Sequence, residues 1–220
     1  TRDGDFIGHI YVASMHNTMM FFTEKGRCYW LKVYQIPEGT RTSKGRAIQN
    51  VIQIEPDDKV RAYINTKNLN DADYINTNYI VMCTREGVIK KTKLEAYSRP
   101  RQNGVNAIVI REGDRLIEAK ITSGNAEVMI AARGGKAIRF NEEKVRPIGR
   151  VGAGVRGIEL DEGDEVIGMI CIEPDAKKDV LVLSENGYGK RTDLDEYRVT
   201  NRGGKGVKTM NLTDKTGNLI

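Results

Sequence analysis

A short phrase recurs four times along this 220-residue chain. Each copy runs from a Thr/Ser-x-x-Gly turn into a basic strand, then a glycine-containing basic loop, then an acidic turn. The copies open at Thr-Glu-Lys-Gly 23–26, Thr-Arg-Glu-Gly 84–87, a more diverged Ala-Arg-Gly-Gly 132–135, and Ser-Glu-Asn-Gly 184–187. Their glycines, Gly26, Gly87, Gly135 and Gly187, are separated by 61, 48 and 52 residues. A unit of that length cannot bury its own apolar face, so self-similarity at this period implies a solenoid or a ring of blades in which neighbours cover one another.

The repeats are drawn at approximately 5–54, 58–110, 114–160 and 164–212, with a further repeat beginning at 214–220. Within each, four short runs rich in Val, Ile, Tyr and Thr are punctuated by Gly, Asn and Asp, which predicts strands. In repeat four these runs are 165–172, 179–184, 188–194 and 206–212; in repeat two they are 60–64, 79–83, 88–94 and 106–110. The predicted fold is therefore all-β, a propeller-like array of four-stranded blades. The second run of a repeat is apolar on both faces, as at 18–22 and 180–183, which suits a strand sandwiched between neighbouring blades. The polar stretch 65–78 reads as a long loop inserted in repeat two, and Tyr34, Tyr97 and Tyr197 read as one recurring blade-packing position.

No apolar run approaches the 18 or so residues a membrane helix needs, and residues 1–5 carry no apolar signal region. Cys28, Cys83 and Cys171 are odd in number, form no Cys-x-x-Cys pair and sit in apolar runs, so they read as reduced core thiols. Gly-Ala-Gly-Val-Arg-Gly 152–157 matches Gly-x-Gly-x-x-Gly, but no helix pattern follows it and it occupies the slot of the basic loop in the other repeats. There is no phosphate-binding Gly-x-x-x-x-Gly-Lys-Ser/Thr, and His9 and His16 are the only histidines. No catalytic or metal-binding constellation emerges.

The charge pattern points to function. The third strand and following loop of the repeats, residues 25–46, 85–101, 133–156 and 186–208, together hold 25 basic and 8 acidic residues. That surplus of 17 on a chain of net charge +5 leaves −12 elsewhere, concentrated in the acidic turns 55–58, 111–114 and 161–165. Equivalent positions of a ring share one rim, so a basic belt around a disc is predicted. Its candidate members are Arg27, Lys32, Arg41, Lys44 and Arg46; Lys90, Lys91, Lys93, Arg99 and Arg101; Arg133, Lys136, Arg139, Arg146, Arg150 and Arg156; and Lys190, Arg191, Arg198, Arg202, Lys205 and Lys208. Lys and Arg without base-reading signatures are the footprint of phosphate-backbone binding. The loops carry few aromatic residues on which unpaired bases could stack, so bent duplex DNA is the expected ligand.

These repeats resemble the C-terminal domain of DNA gyrase A. The resemblance is carried by Lys-Val-Tyr-Gln-Ile-Pro-Glu 32–38, Gly-Val-Ile-Lys-Lys-Thr 87–92, Val-Arg-Gly-Ile-Glu-Leu 155–160 and the run Gly-Tyr-Gly-Lys-Arg-Thr-Asp-Leu-Asp-Glu-Tyr 187–197, and it covers the whole chain. It implies a β-pinwheel whose blades exchange strands and whose basic rim wraps duplex DNA, in support of ATP-dependent negative supercoiling by a type II topoisomerase. It also implies a bacterial, cytoplasmic, nucleoid-associated protein that works with the rest of gyrase A and with gyrase B. ATP, Mg and the cleaving tyrosine would lie in other domains, leaving this segment no cofactor and no reaction of its own. The family's glycine-arginine box, Gln-Arg-Arg-Gly-Gly-Arg/Lys-Gly, has its nearest match in Asn-Arg-Gly-Gly-Lys-Gly 201–206, without the leading Gln and first Arg. The box proper is expected upstream of Thr1, the chain being read as part of a longer protein. The related C-terminal domain of the corresponding topoisomerase IV protein is the alternative parent. A protein-binding propeller of the kelch or WD type is the alternative from another class, although the single Trp30 does not supply its marks.

Overall fold

The computed structural model describes residues 6–220, so the repeat boundary drawn at residue 5 lies outside the described residues. All four copies of the phrase fold as hairpin turns. The glycine N–H donates to the carbonyl three residues earlier: Gly26 to Thr23 at 2.9 Å, Gly87 to Thr84 at 3.0 Å, Gly135 to Ala132 at 3.1 Å and Gly187 to Ser184 at 2.9 Å. Where the phrase opens on Thr, the hydroxyl oxygen also accepts the N–H beyond the glycine, from Arg27 at 3.1 Å and from Val88 at 3.2 Å.

The first hairpin is β1 (Thr18–Thr23) and β2 (Arg27–Lys32), and β3 (Val60–Thr66) follows it. A short helix α1 (Ala72–Thr77) precedes the second hairpin, β4 (Tyr79–Thr84) and β5 (Val88–Lys93), after which come β6 (Val105–Asn106) and β7 (Leu116–Thr122). The third hairpin, β8 (Glu127–Ala132) and β9 (Lys136–Asn141), is followed by β10 (Val155–Arg156) and β11 (Val166–Ile172). The fourth, β12 (Asp179–Leu183) and β13 (Gly189–Asp193), precedes β14 (Val207–Lys208). Three antiparallel four-stranded sheets result, in the orders β3-β1-β2-β6, β7-β4-β5-β10 and β11-β8-β9-β14, and β12-β13 forms a two-stranded sheet.

Each four-stranded blade is thus the hairpin of one repeat completed on both edges by strands of the next. The sequence repeat and the structural blade are offset by half a unit. The runs beginning at 60 and 106, predicted to share a blade with 79–83 and 88–94, instead flank the preceding hairpin. Successive blades cannot separate without breaking main-chain hydrogen bonds. β7 packs between β3 and β11, so these strands line the inside of the array and β6, β10 and β14 mark its outer edge.

The core lies between blades. Met20 and Phe22 of the first sheet face Ile80 and Met82 of the second, while Val81 and Cys83 face Val128 and Ile130 of the third. This is why these hairpin strands are apolar on both faces: alternate side chains fill two different cores. Cys28 and Cys83 are buried and Cys171 half-buried, all as free thiols.

Three further expectations are corrected. The segment 65–78 is not a plain loop: β3 runs to Thr66, Leu69 is buried, and Asp71 caps α1 by accepting the N–H groups of Asp73 at 3.0 Å and Tyr74 at 3.2 Å. Tyr34 is 57% exposed whereas Tyr97 and Tyr197 are buried, because Tyr34 lies eight residues past its phrase glycine and the packing position lies ten past. Val145 fills that position in the third copy. Finally, β12 does not bury both faces: Leu181 and Leu183 are exposed, since among the described residues only one side of this hairpin is covered.

Candidate nucleic-acid interface

The second, third and fourth basic loops run along the outer edge because each leads directly into an exchanged edge strand. A glycine makes that approach possible. Gly104, Gly154 and Gly206 have φ of +69°, +89° and +72°, and a Cβ on them would lie 2.8, 2.5 and 2.3 Å from the carbonyl oxygens of Cys28, Ile89 and Ala137 in the preceding hairpin. The recurring glycine of the basic loop is therefore a latch for strand exchange, and the cations around it project from a fixed edge.

The structure divides the predicted cations into three groups. Arg41, Lys44, Arg46, Arg99, Arg101, Arg146, Arg156, Arg198, Lys205 and Lys208 are exposed in the outer loops and edge strands, with Arg150 and Arg202 half-buried among them. Among the described residues, only Lys205 of these has an acidic partner, Glu159 at 4.0 Å. Lys32, Lys93 and Lys190 lie on the second strands of their hairpins, and Arg27 props the edge strand by donating to Asn106 Oδ1 at 2.8 Å and Asn103 O at 2.6 Å.

A second group is paired with carboxylates. Lys136 pairs with Asp161 at 2.5 Å, which holds the Asp161 carboxyl below its ordinary range, and Arg133 pairs with Glu165 and Glu185. Arg191 lies 3.2 Å from Asp179 on its own hairpin. One Asp of each acidic turn also braces a hairpin turn, while most of the other acidic side chains of these turns stay exposed. Asp58, Asp114 and Asp164 each accept a turn N–H, from Lys25 at 3.1 Å, Glu86 at 3.0 Å and Gly134 at 2.9 Å. Charge counting missed this role; the recurrence of an Asp in every acidic turn was the available signal.

The third group is withdrawn from the belt. Lys90 is fully buried, its ammonium donating to Ala107 O at 2.7 Å and Arg150 O at 2.6 Å. Burial, and secondarily the neighbouring Arg150 guanidinium, lowers its pKa to about 8. Lys91 is buried against Glu142 at 2.9 Å and lies over the Tyr79 ring. Glu142 also accepts from Thr122 Oγ1 at 3.0 Å and the Ala126 N–H at 2.9 Å, so β5 is tied to the next blade. Arg139, at the same spacing from its phrase glycine as Lys91, donates to Leu194 O at 2.8 Å and Tyr197 O at 2.9 Å. Lys90 and Lys91 are consecutive and so enter opposite faces of β5; both faces of this strand are interfaces between blades, which only the packing shows.

Among the described residues no cluster of His, Cys, Asp or Glu converges as a metal site, and no helix is long and apolar enough to cross a membrane. A strand-exchanged array of propeller-like blades with a cationic outer edge defines a β-pinwheel. The family model for the DNA gyrase C-terminal domain, beta-propeller, matches residues 17–64, 78–123, 126–173 and 178–220, one match per blade hairpin. The chain belongs to this family. Over all 220 residues it is 43% identical to the DNA gyrase A proteins of Staphylococcus epidermidis and of Staphylococcus aureus, spanning 24% of their length. Among solved structures, the C-terminal domain of DNA topoisomerase IV superposes with a TM-score of 0.80 at 25% identity, covering 93% of this chain and 62% of that one. A DNA gyrase A C-terminal domain gives 0.76 at 24% identity, covering 94% and 65%.

Proposed function

We propose that the outer edge binds duplex DNA through its phosphates, without sequence preference, and bends it along the rim. The observation that carries this reading is the run of exposed arginines at 99, 101, 146, 156 and 198 on edge loops and the edge strand β10, held by strand exchange and without acidic partners among the described residues. Arginine can grip a phosphate through two parallel hydrogen bonds, and nothing in these loops is arranged to read base edges. The kinship with gyrase A supports placing this activity in a DNA-supercoiling enzyme: the wrapped segment would be handed to the cleavage core, with gyrase B as partner and ATP and Mg used elsewhere in the assembly.

The test is a titration of a random-sequence duplex at several salt concentrations. With about six to eight phosphates neutralised, log affinity falls against log salt with a slope of roughly −5 to −7. Binding indifferent to salt, or strongly selective for one sequence over random DNA, overturns the reading.

A further inference from the structure

The outer loops are joined to one another, and the joints recur in register. Five residues after the latch Gly104, the Val109 N–H donates to Gly152 O at 3.2 Å; five after Gly154, the Glu159 N–H donates to Gly204 O at 2.9 Å. Both acceptors stand two residues before the next latch glycine. Four residues before that glycine stands an arginine. Arg150 Nη1 donates to Asn106 O at 3.3 Å, and Arg202 Nη1 donates to Arg156 O at 3.1 Å. Asn106 and Arg156 are the second residues of the equivalent edge strands β6 and β10.

At one further point the joints differ. Between the third and fourth loops the Gly203 N–H donates to Gly157 O at 2.7 Å. The corresponding carbonyl between the second and third loops, Ala107 O, takes the Lys90 ammonium instead, whose other bond holds Arg150 O. Arg202 is fixed twice, since its Nε also donates to Lys144 O at 3.0 Å. The second loop carries Pro100 four residues before Gly104, which has no side-chain donor, so this arginine joint to the first loop is missing.

We propose that Arg150 and Arg202 are positioning residues that lock the second, third and fourth edge loops into one preset path, and that DNA bending depends on this role beyond their charge. The proposal rests on the DNA-binding reading above. A guanidinium has five N–H groups in a fixed fork, so it can hold a neighbouring carbonyl and still offer donors outward. A lysine keeps the charge but not the fork, and cannot reproduce the double attachment of Arg202.

The test replaces both arginines by lysine, R150K/R202K, with R41K as the control. Arg41 stands four residues before Gly45 and has no such carbonyl partner among the described residues. Amide exchange without DNA should quicken about tenfold or more at Val109 and Glu159 in the double variant, with the melting temperature near that of the parent. Its affinity for a short straight duplex, and the salt slope, should stay within about twofold. Fluorescence transfer between the ends of a longer duplex, raised by the parent protein, should drop to that of free DNA. Unchanged exchange at both amides overturns the joint, and undiminished bending overturns its role in bending. Equal loss of short-duplex affinity and bending makes the arginines phosphate contacts rather than positioning residues. A parent protein that binds no DNA sinks the functional reading itself, while the exchange measurement still decides the joint.

Discussion

At the scale of single residues, the most informative side chains are the two lysines that left the surface. Lys90 is a cation whose pKa in the folded chain, about 8, lies below its ordinary 10.5. Between those values the unfolded chain holds a proton that the folded chain does not, so stability from this group rises with pH across that window. Buried Cys28, Cys83 and Tyr97 have raised pKa values and pull the other way at high pH, so the difference between two proteins is the clean quantity. Melting temperatures of the parent and of Lys90→Met, compared from pH 7 to 10.5, should show the parent gaining on the variant above pH 8. Parallel curves would mean that Lys90 is not titrating there. Lys91 and Glu142 make the opposite case, a buried pair in which each ion satisfies the other. Glu142→Gln leaves the ammonium without its counter-charge and should cost about 3–5 kcal/mol in urea unfolding. A loss below about 1 kcal/mol would show that water reaches the site.

At the scale of elements, strand exchange depends on backbone contact at the latch glycines. Gly206→Ala places a methyl carbon where 2.3 Å separates it from Ala137 O, in addition to the strain of a left-handed φ. Gly163, at φ +75°, has nothing within 4 Å of the same atom, so Gly163→Ala isolates the backbone strain alone. That strain is worth about 1–3 kcal/mol. The Gly206 variant should lose more stability than the Gly163 variant, and the N–H groups joining β14 to β9 should lose protection from hydrogen exchange. Equal destabilisation of the two would dissociate the glycine from the latch. The hairpin turns have a second support: Asp58, Asp114 and Asp164 brace them from acidic turns around 30 residues away.

At the scale of the whole molecule, the cations that remain on the rim can be removed without disturbing the core. Replacing Arg99, Arg101, Arg146 and Arg156 together by Gln should leave thermal stability almost unchanged, since exposed charges contribute about 0–1 kcal/mol each. It should flatten the salt dependence of DNA binding by roughly one for each phosphate contact removed. A melting curve that collapses would place these residues in the structure; an unaltered salt slope would place the DNA elsewhere. Lys90 and Lys91 are kept out of this variant, because their removal would confuse folding with binding.

The repeat, the β-rich blades, the hairpin strands apolar on both faces, the free thiols and the register of the basic loops are all legible in the amino-acid sequence. These follow from short-range physics: periodicity of apolar side chains, turn residues and the spacing of like charges. Tertiary structure alone decided which strands share a blade, because a run such as 105–106 is extended in either partnership and only closure against Cys28 and Arg27 selects one. It also decided which cations face solvent. Lys90, Lys91 and Lys93 read alike along one strand, yet the first two enter interfaces between blades while the third stays outside. Tyr34 misled for a related reason, a two-residue shift that moves a side chain off the packing position without altering its local pattern. Burial is set by the neighbouring blade, whose approach no local stretch of the chain encodes.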